Sequence, residues 1–318
     1  MRRIILDTDL AMGAPGSDID DGFALALAHA DRGIQLDLVT TVNGNTDVES
    51  ATILALELTG RLGIPEVPVV RGAAAAFTHP EVVRRPADAV SALASADHQP
   101  RAGHAAVEIV RHVMAHPGEI TLVAIGPLTN VAAALLLEPR IAEHVAEIVV
   151  MGGIFFGTMP NRQRPGEFNI WMDPESAAAV LRSGAPLRFV GLDVTLQVRL
   201  TREHARRMLA AGTPFAPFAG EATLGWIDHL NETNPGSTAD ADSCAMHDPL
   251  AVAVVTRPEL VTFVDAHVSV VTGDGLARGV LVTDLLQSAD PPAPNCRVAQ
   301  TVDVAGFTEH FLQLITGL

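Results

Sequence analysis

Short runs of consecutive apolar residues alternate along this chain with longer stretches in which apolar positions recur every three or four residues. The runs Ile4 to Leu6, Leu36 to Val42, Val67 to Val70, Ile120 to Ile125, Glu147 to Met151 and Leu187 to Gly191 have strand length and are rich in Val, Ile and Leu. Between them, Gly22 to Ala30, Asp47 to Leu62, Ala105 to Met114, Leu128 to Leu137 and Pro174 to Leu181 carry helical spacing. That alternation is the rhythm of βαβ units, and strands with so few polar interruptions need burial on both faces. The pattern predicts an α/β fold with a mainly parallel, doubly wound open sheet flanked by helices. After Thr201 it turns more helical, then gives an antiparallel pair, Leu260 to Thr272 and Gly279 to Leu285, and a closing helix from Ala305 to Thr316. A small helical and antiparallel C-terminal extension is therefore expected. No Gly- or Ser-rich linker and no internal repeat interrupts residues 1–318, which read as a single domain.

Polar residues collect where the strands end. Asp7-Thr8-Asp9 closes the first strand, and Asp18-Ile19-Asp20-Asp21 opens the next helix after a Gly/Pro loop, which brings up to five carboxylates to one strand C-terminus. Like charges this close raise the cost of ionising one another, so the cluster calls for a cation, and hard oxygen donors point to Ca²⁺ or Mg²⁺. Capping of the helix by Asp18 or Asp20 accounts for only one or two of the five. Asn43 and Asn45 end the second strand, Gly126-Pro127-Leu128-Thr129-Asn130 follows the fourth and Met151-Gly152-Gly153 the fifth. Asn161, Glu167-Phe168-Asn169 and His247-Asp248-Pro249 come later. In a parallel sheet such residues converge on a crevice outside the C-terminal edge, where α/β folds place their ligands.

Composition narrows the partners. The formal charge is −16, and each of the 21 basic residues is Arg. An acidic surface disfavours nucleic-acid backbones and anionic membranes as partners. Cys244 and Cys296 form no zinc-like or CxxC spacing, and Met1-Arg2-Arg3 runs straight into a short strand. The expected setting is the cytoplasm, with reduced thiols.

Asp-Thr-Asp after an apolar strand, followed by Asp-Asp-x-x-Ala-Leu opening a helix, resembles the N-terminal signature of the inosine-uridine-preferring nucleoside hydrolases. Thr40 to Asn45, Leu122 to Asn130 and Val150 to Gly153 resemble later segments of that family, and Asn161, Glu167 to Asn169 and His247 to Pro249 follow in the same order. The resemblance implies a calcium-dependent N-ribohydrolase of homodimeric or homotetrameric build. It makes Asp9, Asp21, Asp248 and the Ile125 carbonyl ligands of Ca²⁺, with Asp7 orienting its neighbours from behind. It gives the ribose hydroxyls to Asp20, Asn45, Asn161, Glu167 and Asn169.

The chemistry agrees with those residue types. Cleavage of an N-glycosidic bond passes through an oxocarbenium-like transition state that needs nearby carboxylates, a water on the anomeric face and a proton for the departing base. Asp9 is the expected base acting on a Ca²⁺-bound water, and His247, beside an expected ligand, the expected acid. A packing role is the default for the other histidines in helical patterns, and His247 could simply precede a helix capped by Asp248. Two departures bear on the base: ten residues, Leu10 to Ile19, separate the two acidic motifs where the family has a short turn, and the family's His-Gly segment is missing between Ala73 and His104.

Two other functions fit part of the pattern. Asp7-Thr8-Asp9 also suits a phosphohydrolase of the haloacid dehalogenase type, although that class needs a downstream Lys and this chain has none. A non-catalytic, metal-dependent ribose or nucleoside binding protein would keep the same polar residues.

Overall fold

A computed structural model of the chain describes residues 1–14, 16–79, 88–91, 93–94, 98–160 and 164–318. Eleven strands are found among them: β1 (Arg2–Thr8), β2 (Ile34–Thr41), β3 (Val69–Arg71), β4 (Ile120–Ala124), β5 (Glu147–Met151), β6 (Leu187–Val190), β7 (Arg199–Thr201), β8 (Ser243–Ala245), β9 (Val261–Val270), β10 (Leu281–Asp284) and β11 (Cys296–Val302). Nine of them form one sheet in the order β10-β9-β11-β6-β5-β4-β1-β2-β3. Neighbours from β3 through to β11 run parallel, and β9 and β10 are antiparallel. The expected sheet is present, with edges within a few residues of those read from the apolar runs.

The strands are apolar throughout because both faces are covered. Successive side chains of a strand point to opposite faces, and in β1 Ile4 and Leu6 enter one core while Ile5 enters the other. The first core is closed by Phe23, Phe307 and Phe311, the second by Ile109, Val131 and Val180. None of the described helices is long and apolar enough to cross a membrane.

Two features were not legible in the pattern. β11, a strand the pattern did not show, pairs with β6 on one side and β9 on the other, so it joins the expected antiparallel C-terminal extension to the main sheet. Its residues Cys296 to Val302 carry polar side chains and follow Pro291 to Pro294, which hides the strand. β7 and β8 make a separate antiparallel pair around the helical segment, which includes the long helix Ala216–Thr233.

The order of strands fixes the address of the site. Chain order reverses on either side of β1: β2 and β3 lie to one side, β4, β5 and β6 to the other. Loops leaving β1 and β4 at their C-terminal ends therefore diverge and open a crevice there.

Candidate active site

The site begins where β1 stops. Beyond Thr8 the loops stay side by side: Ile125 N donates to Asp7 O at 2.8 Å and Val42 N to Thr8 O at 3.0 Å. The Asp9 carboxylate enters the gap between them, and only glycine leaves it room. A Cβ on Gly44 would lie 1.9 Å from Asp9 Oδ2, and one on Gly126 would lie 2.8 Å from Oδ1. Asn45 N donates to Oδ2 at 2.6 Å, whereas Oδ1 is buried and bonds to none of the described residues.

Helix Asp20–Ala30 supplies the next two carboxylates from its first turn, where the helix dipole favours negative charge. Asp21 accepts from Thr8 Oγ1 in a short hydrogen bond and from Asn45 Nδ2 at 3.0 Å. Asp20 accepts from the backbone N–H groups of His247 and Asp248 at 3.1 and 3.2 Å, at the start of helix His247–Thr256. It thereby ties together two helix N-termini far apart in sequence. Helix capping explains none of these acids locally: the first helix has Ile19 at its N-cap with no side-chain bond, and the second has Met246 there, so Asp248 lies inside the helix.

Asp20, Asp21 and Asp248 each bring one oxygen within 4.8 Å of the others, and all three are buried. Burial above all pushes these carboxyls up, to about 7 in Asp20 and about 6 in Asp21. Asp9 and Asp248 stand well above the usual carboxylate range, again through burial first and then the charges of their neighbours. A buried, all-oxygen, mutually repelling donor set with an orphaned carboxylate oxygen fits a hard divalent cation. Sequence reasoning named Asp9, Asp21, Asp248 and the Ile125 carbonyl. Among the described residues the tightest group is Asp20, Asp21 and Asp248, and Asp9 is not part of it.

Above this floor lies a cavity of about 470 Å³, lined by Asp20, Asn45, Ile125, Glu167, Asn169, His247 and Asp248 among others. Glu167 and Asn169 act as a unit. Glu167 caps the helix Phe168–Met172 by accepting from Asn169 N and Ile170 N, and it also accepts from Gly153 N at 3.0 Å. Asn169 Nδ2 then reaches the Ile125 carbonyl at 2.8 Å. Asp7 lies beneath the site, fully buried, accepting from Thr40 Oγ1 at 2.5 Å and Asn130 Nδ2 at 2.8 Å. Asn161 lies outside the described residues.

Apart from Asp18, which belongs to the acidic run before the first helix, several lining residues carried no sequence motif. The loop Leu10 to Ile19 packs Leu10, Ala11 and Met12 into the core and sets Gly16, Ser17 and Asp18 on the cavity wall. Trp226 and His229, three residues apart on one helical face, stack at 5.3 Å and 15° and line the same wall. Their spacing was a usable signal. Thr195, 2.8 Å from His247 Nδ1, could be found only in three dimensions. In the stretch where the family's His-Gly segment is missing, His104 caps helix Ala105–Ala115 and His79 pairs with Asp274, and neither lines the cavity.

The profile of the inosine-uridine preferring nucleoside hydrolases matches residues 4–309. The chain belongs to that family. It is 36% identical over 318 residues to the non-specific ribonucleoside hydrolase RihC of Salmonella enteritidis, with 96% of this chain and 95% of that protein covered. A solved plant nucleoside hydrolase, PpNRh1, superposes with a TM-score of 0.88 at 28% identity, covering 100% of this chain and 99% of that one. The purine-preferring ribonucleoside hydrolase from Gardnerella vaginalis gives 0.86 at 30% identity over 99% and 98% of the two chains. This family member is thus an N-glycosyl hydrolase. As a nucleoside hydrolase of a metal-dependent family, it has in Asp20, Asp21 and Asp248 a cluster able to hold the ion.

Proposed function

We propose that this enzyme hydrolyses the N-glycosidic bond of ribonucleosides to free base and ribose with Ca²⁺ as its cofactor. The observation that carries the reading is the set of buried carboxylates under a nucleoside-sized cavity whose wall carries a histidine. Asp9, Asp20, Asp21, Asp248 and the Ile125 carbonyl would hold the ion. When bound, it neutralises the carboxylates, draws in the ribose 2′ and 3′ hydroxyls and makes water easier to deprotonate. Asp9 Oδ1, which bonds to none of the described residues, takes the proton from the attacking water. Asn45, Asn161, Glu167 and Asn169 orient the sugar, and the Trp226 and His229 rings offer a flat wall to the base. Asp7 is fully buried, its Oδ1 is held by Thr40 and Asn130, and it is not among the residues lining the cavity, so nothing favours the phosphohydrolase reading.

A panel of ribonucleosides assayed for free base and reducing sugar, with and without a chelator, tests the reading. Turnover is expected only with the ion present. Binding without turnover across the panel would instead leave a nucleoside-binding protein.

His247 is the acid for the departing base in this reading, because it lines the cavity next to Asp248 and its backbone N–H bonds to Asp20. Its replacement by Ala is expected to slow inosine and uridine by about 10²- to 10⁴-fold while sparing p-nitrophenyl riboside, whose leaving group needs no proton. Equal losses on both substrates would mark a residue that merely steadies Asp248.

A further inference from the structure

Glu167 and Asn169 reach the cavity from the N-terminal end of the helix Phe168–Met172, which has five residues. So short a helix does not hold its own shape in water, and what packs on it decides where its side chains point. The hairpin of β9 and β10 does so at three places around Glu167. A Cβ on Gly166, the residue before it, would lie 2.7 Å from the Gly279 carbonyl carbon. One on Gly279 would lie 2.7 Å from Trp171 Cα, and Trp171 N donates to the Glu167 carbonyl at 2.9 Å. One on Gly153, whose N–H donates to the Glu167 carboxylate, would lie 2.6 Å from Leu281 Cδ1. We propose that Arg278 and Gly279 are positioning residues that set Glu167 and Asn169 against the sugar, although neither is among the residues lining the cavity. The inference rests on the reading of Glu167 and Asn169 as sugar contacts.

Gly279 fits this place because it lacks a side chain. Its φ is +79°, in the left-handed region where other residues are strained, and its backbone lies against both Gly166 and Trp171. Two backbone bonds keep the turn in shape: Gly279 N donates to the Val271 carbonyl at 2.8 Å, and Val271 N to the Val280 carbonyl at 2.9 Å. Arg278 then anchors the turn beyond the far end of the same segment. Its Nη1 and Nη2 each donate to one oxygen of Glu175 at 2.7 Å, and Nη1 also donates to the Thr272 carbonyl at 2.5 Å. Glu175 lies in the first turn of helix Pro174–Leu181, just past Asp173, the C-cap of the helix that carries Asn169. A two-pronged guanidinium–carboxylate bond fixes direction as well as distance. The short helix is therefore gripped before its first residue by Gly279 and after its last by Arg278.

The test combines kinetics with amide hydrogen exchange on the full chain in calcium. Arg278→Met keeps the apolar stem and loses the two-pronged bond, and Gly279→Ala adds a Cβ that must displace Trp171. Each should lower kcat/KM for inosine by about 10- to 10²-fold, the cost of a small misplacement far from the chemistry. In a background carrying Glu167→Gln and Asn169→Ala the same substitutions should cost much less, since residues that act through one another do not add. Exchange should quicken in residues 166–172 and keep its wild-type rate in helix Asp20–Ala30, which a general loss of stability would not spare. Equal losses in both backgrounds, or unchanged exchange at 166–172 in Arg278→Met, would overturn the proposal. Should Gly279→Ala not fold, Arg278→Met alone decides it. Failure of the sugar reading shows separately: Glu167→Gln with Asn169→Ala would leave kcat/KM at the wild-type value while exchange at 166–172 still quickens in Arg278→Met, which overturns that reading and leaves the hairpin's hold on the segment standing.

Discussion

Asp21→Asn is expected to abolish ion binding and to lower kcat/KM by about 10³-fold or more, since an ion that stabilises developing charge is worth several kcal/mol. The fold should survive. Asp21 is buried, and its carboxyl is pushed from the ordinary 3.8 up to about 6 by burial, which outweighs the bonds from Thr8 and Asn45. A raised carboxyl pKa means that the ion-free fold loses stability as pH rises from about 4 to about 6, because the folded state then holds its proton more tightly than the unfolded chain. Removing that charge should leave the ion-free protein as stable at pH 7 as before, or more so. Wild-type protein should gain about 2.7 kcal/mol from Ca²⁺ at a hundred times its Kd, and the variant nothing. Calorimetric titration and melting curves, each with and without chelator, read both effects. Unchanged ion uptake in Asp21→Asn would rule out this site.

Loss of the substrate's 2′ hydroxyl is expected to cost about 10⁴-fold in kcat/KM, the discrimination reached where a site's buried polar groups are left unpaired by an absent hydroxyl. Here the groups concerned are unusually costly to leave unmatched. Asp20 is buried and carries its charge among Asp21 and Asp248, its carboxyl pushed up to about 7. Bond donation from the His247 and Asp248 backbone satisfies one of its oxygens, Oδ2. A ribose hydroxyl reaching the floor of the cavity would supply a donor, and 2′-deoxyribose has none to give. Parallel kinetics of inosine and 2′-deoxyinosine measure the ratio. Comparable turnover of the two would mean that the sugar is not held against this floor.

Much of this molecule could be read from the order of its residues. Apolar runs without polar breaks determined a sheet buried on both faces, because only helices on each side could cover Ile4, Ile5 and Leu6 at once. The acids at the first strand's end determined that a cation was needed, because like charges in an apolar setting cannot stay ionised alone. What the sequence left open were matters of distance between segments remote along the chain. The place of β11 depended on pairing with β6 and β9, and such cross-strand bonds leave little trace in a strand broken by polar residues. Which acids form the tightest group was decided by the helix His247–Thr256, whose N-terminus draws Asp20 toward Asp248. The gap for Asp9 was decided by Gly44 and Gly126, each innocuous as a letter until the backbone of the other loop lies against it. Thr195 meets His247, and Trp226 and His229 meet the loop at Gly16, only because packing brings separate elements to one cavity. Periodicity and charge report what each segment must bury or neutralise, whereas the partner that does so is chosen when the whole chain closes on itself.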